Sequence, residues 1–129
     1  MPIIDHATVV GHAGTRSNIP IRKLVSTHIG AKQTEAWEQT MQPGDHIPLH
    51  YHDAEETVIF LSGRIEVVLG DETSQVEAPV TVFVPEGLYH SFRNRGDVPA
   101  HMLVFFPALN PAVIYPDGTR RYAGGDTHE

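Results

Sequence analysis

Short apolar runs, each bounded by residues that favour tight turns, constrain this chain more than any other feature. The runs lie at residues 21–27, 34–41, 57–61, 65–69, 80–84 and 102–106. Between them stand Gln42-Pro43-Gly44-Asp45, Leu61-Ser62-Gly63, Gly70-Asp71-Glu72, Pro85-Glu86-Gly87 and Asn94-Arg95-Gly96-Asp97. Glycine supplies positive φ, proline presets φ, and Asn or Asp bonds its own backbone, so each cluster reads as a turn. Turn signals spaced roughly 8–12 residues apart, with no sustained helical apolar repeat, predict an all-β antiparallel sandwich or barrel.

A chain of 129 residues is expected to form one domain spanning its whole length, since two separate cores would each bury too little apolar surface. Residues 1–20 read as an irregular arm with one strand, and residues 116–129 as a polar, glycine-containing and mobile tail. The chain is 40% hydrophobic and 19% charged, which separates it from disordered sequences. It has no apolar run long enough to span a bilayer and no basic, apolar leader, so no membrane association and a cytoplasmic location are expected. A formal charge of -7 disfavours binding to nucleic acid. The absence of cysteine removes disulfides, thiolate nucleophiles and sulfur-ligated metal, leaving N and O ligands.

His50 and His52 are two apart at the start of a strand-like stretch, so their rings share one face. A carboxylate follows a few residues on, at Glu55 or Glu56, and His90 opens another run after the turn Pro85-Glu86-Gly87. Imidazoles with a carboxylate suit Fe, Mn, Ni, Zn or Co better than Ca or Mg.

Residues Gly44, His50, His52, Glu56 and Gly63 meet every fixed position of the first cupin motif, G(X)5HXH(X)3,4E(X)6G, which this segment resembles. Pro85, Gly87, His90 and Asn94 likewise match the second motif, G(X)5PXG(X)2H(X)3N, with Pro79 in place of its first glycine. Proline cannot take the positive φ open to glycine, so a different entry into the following strand is expected. The resemblance implies a double-stranded β-helix, or jelly-roll (cupin) barrel, holding one divalent transition metal per chain through His50, His52, Glu56 and His90. It also selects Glu56 over Glu55, in agreement with an inward face shared with Val58 and Phe60. Fe or Mn is the preferred ion, with Ni, Zn, Co or Cu as alternatives.

Four protein ligands in an open barrel leave coordination positions for water, dioxygen or substrate. The resemblance to cupin dioxygenases implies an oxidoreductase acting on a small organic metabolite in a pocket of Val58, Phe60, Phe92, Met102, Val104 and Phe106. The alternatives are a lyase, decarboxylase or isomerase using the ion as Lewis acid, and a non-catalytic module that binds or senses a small molecule. A homodimer is expected by the same resemblance. Trp37 is expected in the core with Gln39 and Met41, His101 is expected to point away from the cavity, and Tyr115 and Tyr122 cover the barrel mouth if the tail folds back. His6, His12, His28, His46, His128, Arg64, Arg93 and Arg95 read as surface residues.

Overall fold

The computed structural model describes residues 2–13 and 16–122. In chain order its strands are β1 (Gly11–His12), β2 (Ile21–Val25), β3 (Glu35–Met41), β4 (His46–His50), β5 (Glu56–Phe60), β6 (Arg64–Leu69), β7 (Glu72–Glu77), β8 (Val80–Val84), β9 (His90–Asn94), β10 (Ala100–Phe106), β11 (Ala112–Ile114) and β12 (Arg120–Tyr122). Among the described residues helix is limited to two single 3-10 turns, His6–Thr8 and Thr27–Ile29. No helix among the described residues is long and apolar enough to cross a membrane.

A six-stranded sheet in the order β1-β2-β3-β10-β5-β8 faces a four-stranded sheet in the order β4-β9-β6-β7. Every pairing is antiparallel, and β11 with β12 forms a separate ribbon. This is the expected all-β jelly-roll barrel. Period-two alternation selects the inner face: in β10, Ala100, Met102, Val104 and Phe106 are buried while Phe105 is exposed. Cross-strand register then builds rows through the sheet, one of them Val82, Val58, Val104 and Trp37. Phe92, Ile65 and Val67 from the second sheet close the core opposite them.

Two motif residues hold the ends of this barrel. Gly63 has φ +99°, and a Cβ there would sit 2.8 Å from the Ala100 side chain and 2.9 Å from its Cα, so only glycine fits. Asn94 is buried and donates to the carbonyls of Met41 and Val98, each at 2.9 Å, while its Oδ1 accepts from Gly96 N–H at 2.9 Å. It thereby ties two turns together with no polar atom wasted.

Four strands lay outside the sequence reading, one of them β4, since His50 was read as opening a strand that it in fact ends. The face of β7 is almost wholly exposed, so it carries no apolar alternation. Both β11 and β12 have only three residues, too few to show a period. Part of the segment read as a tail, residues 116–122, therefore forms a turn and a strand, and residues 123–129 lie outside the described part.

Candidate metal centre

His50 ends β4, His90 opens β9, and the two are cross-strand partners. Two residues past His50 the chain is still extended, because Tyr51 exchanges both backbone hydrogen bonds with Ile114 at 2.9 Å. His52 therefore turns its ring to the same side as His50. Its carbonyl accepts from Gly87 N–H at 3.0 Å, which links the two motifs. Glu56 is the first inward position of β5. All four side chains are buried, whereas Glu55 is exposed.

Each imidazole is fixed by a backbone carbonyl at Nδ1: Pro48 O for His50 at 2.6 Å, Ala112 O for His52 at 2.8 Å, and Leu88 O for His90 at 2.9 Å. A carbonyl only accepts, so each ring carries its proton on Nδ1 and presents the Nε2 lone pair inward. The His50 and His52 Nε2 atoms stand 3.2 Å apart. Glu56 Oε1 lies 3.5 Å from His52 Nε2 and 3.0 Å from His90 Nε2. Donors held about 2.1 Å from a shared ion lie roughly 3.0–3.4 Å apart at right-angle to tetrahedral geometry, which is this spacing.

Charge supports the same conclusion. Glu56 Oε1 and His90 Nε2 approach closely but without hydrogen-bond alignment, and both are fully enclosed side-chain atoms with no hydrogen-bond partner among the described residues. Burial, then the neighbouring rings, hold the His50 pKa well below 6.5. Burial also lowers His52, against the pull of Glu56. On Glu56, burial pushes upward but His52, His90 and His50 outweigh it and hold the carboxyl at about 2. Burial opposes protonation of His90, yet contact with Glu56 raises its pKa overall. Lone pairs aimed at one point around a buried anion call for a cation. The three histidines could hold a metal ion.

A cavity of about 40 Å³ adjoins these groups, lined by Ile21, Trp37, Gln39, Ile47, Phe92, Met102, Val113, Tyr115 and Ser17. Of the six residues expected to form the pocket, Phe92 and Met102 line it. Val58, Phe60, Val104 and Phe106 pack in the core instead, Phe106 wedged between the His52 ring at 5.0 Å and Trp37 at 4.7 Å. The inward face was assigned as a whole in the sequence, while only Phe92 and Met102 of those six reach the cavity. Trp37 is both core and lining. His101 points outward to Glu38 at 3.0 Å and Thr40 at 3.2 Å.

The C-terminal segment was the main omission. Ala112 O orients His52, Val113 lines the cavity, and the Tyr115 ring lies 6.2 Å from that of His50 with the Arg16 guanidinium 4.1 Å above it. Tyr122 pairs with Ala112 in the ribbon behind them.

A sequence model described as "Cupin domain" matches residues 37–106. "Polyketide synthase CurC" of Streptomyces cyaneus is 40% identical over 89 residues, 68% of this chain and 58% of that protein. "Protein SchB" of Streptomyces halstedii is 33% identical over 89 residues, 68% of this chain and 64% of that protein. The chain thus spans about six-tenths of the length of these curated relatives. Among solved structures, the polyketide cyclase RemF from Streptomyces resistomycificus superposes with a TM-score of 0.72 at 24% identity, covering 100% of this chain and 88% of that one. At that identity the likeness shows the fold alone.

Proposed function

The chain belongs to the cupin family, and on that premise we propose that it is a metal-dependent enzyme acting on a small, enolisable polycarbonyl compound of the polyketide kind. His50, His52, Glu56 and His90 hold one divalent transition ion. The observation that carries this is the packing of His52 and His90 Nε2 at 3.5 and 3.0 Å from the buried Glu56 Oε1, with His50 Nε2 3.2 Å from that of His52. The names of the polyketide relatives support the substrate class. When bound, the ion supplies Lewis-acid polarisation of adjacent carbonyl oxygens and, if redox-active, a route to dioxygen.

The protein's own part is to position and to dry the site. Backbone carbonyls lock the three tautomers, and Trp37, Ile47, Phe92, Met102 and Val113 exclude water from the reacting end of the substrate. A cavity of about 40 Å³ admits only that end, so the rest of the molecule extends past the half-buried Ser17 and Ile47.

Ring closure by aldol addition, in which an enol carbon bonds to a distant carbonyl carbon and the enol proton passes to that carbonyl's oxygen, is the reading the relatives favour. The dioxygenase expected from the sequence stays as a second reading, favoured by the apolar lining, in which Tyr115 is the one titratable residue besides His50, His52 and Glu56. Incubation with linear and aromatic β-diketones, with and without air, tests both. Oxygen-independent product supports ring closure, oxygen consumption matched to product supports the dioxygenase, and ion uptake without turnover of any candidate rejects both in favour of a binding module. We further place the chain in the cytoplasm as a homodimer, which light scattering on the purified protein tests.

A further inference from the structure

Resting on the metal-centred reading above, we infer that Gln39 is the specificity-determining residue that grips the substrate beside the ion. It is the third inward residue of β3, after Glu35 and Trp37, and pairs in register with Met102. Its side chain is 7% exposed and lines the same cavity as His50, His52 and Glu56. A glutamine amide offers two N–H donors and one acceptor, and that of Gln39 makes no hydrogen bond to any described residue.

Glu35 and Asn94, buried in the same barrel, are engaged. Glu35 accepts from Trp37 Nε1 at 2.7 Å and from Asn110 N–H at 3.0 Å, and Lys23 Nζ lies 3.3 Å away. Asn94 uses both ends of its amide. Ile21, Trp37, Phe92 and Met102, which line the same cavity, carry no side-chain oxygen, whereas Ser17, Glu56 and Tyr115 at its wall do. Leucine or methionine would fill the position without desolvating an amide. An amide there is matched to a ligand that brings both carbonyl and hydroxyl oxygens, as the keto and enol forms of a β-dicarbonyl do. Its N–H donates to the oxygen nearest the ion, and its carbonyl accepts from a hydroxyl farther along.

The test compares wild type, Gln39→Leu and Gln39→Met, each loaded with Co2+ and titrated with acetylacetone or azide while the cobalt visible absorption is followed. Acetylacetone meets Gln39, whereas azide reports only on access to the ion. Loss of one hydrogen bond predicts acetylacetone binding weakened about tenfold in both variants, with Co2+ stoichiometry and azide affinity unchanged. Unchanged acetylacetone affinity overturns the role of Gln39 while leaving the metal site intact. Parallel loss of Co2+, azide and acetylacetone also overturns it, because Gln39 would then belong to the cradle of the ion. A wild-type chain that takes up Co2+ yet ignores acetylacetone would sink the proposed substrate class together with this inference.

Discussion

His52 donates its Nδ1 proton to the carbonyl of Ala112 at 2.8 Å, a bond that joins the centre of the barrel to a strand sixty residues later in the chain. The strand is held in turn by Asp53, whose Oδ1 accepts from Ala112 N–H at 2.9 Å. Geometry at the proposed metal centre thus depends on a carboxylate outside it.

Asp53→Ala is therefore expected to weaken metal affinity about tenfold, the usual effect of removing an outer support, with the fold retained. Competition with a chromophoric chelator measures this. Affinity equal to wild type would show that β11 holds its place without Asp53.

Acidification is expected to destabilise the metal-free protein in two stages. His50 and His52 have lowered pKa values, so just below pH 6.5 the unfolded chain binds more protons than the folded one, and stability falls as pH falls. His90 has the opposite sign: its contribution is full below 6.5 and is lost as pH rises through its raised pKa. Below 6.5 the His90 contribution is constant, so His50 and His52 alone set the loss on acidification. Glu56, lowered from 4.5 to about 2, stabilises above 4.5 and gives up that contribution between those values. Thermal melts of chelator-treated protein should show Tm falling below pH 6.5 and again below 4.5. A Tm that holds or climbs from pH 6.5 to 5 would contradict the assignment.

Gly63→Ala should cost about 2–3 kcal/mol, because the added Cβ meets Ala100 at 2.8 Å on a backbone at φ +99°. Urea unfolding checks the value, and a loss under about 0.5 kcal/mol would mean that the turn relaxes freely.

How much of this was legible in the sequence follows from the physics of each part. Strands with alternating apolar residues, such as β5 and β10, and a site whose residues lie within a few positions of turn signals, left direct patterns. Glu56 was told from Glu55 by the spacing of the motif this segment resembles, with which the alternation of inward and outward positions agrees. The contribution of Ala112 was hidden, since a backbone carbonyl carries no residue signature. Gln39 was placed with Trp37 on a buried face but given no role, because only the cavity shows that its amide lacks a partner. The pocket was drawn too deep: Val58 and Phe60 share the inward face with Glu56, but the core closes over them.

The most direct test of the central claim is metal stoichiometry on the purified chain and on Glu56→Ala and His90→Ala, by plasma mass spectrometry after reconstitution and removal of free ion. The expected result is one transition ion per wild-type chain and loss of stoichiometric metal in both variants, each still folded by circular dichroism. A wild-type chain that retains no ion, or variants that keep it in full, would contradict a metal centre at His50, His52, Glu56 and His90.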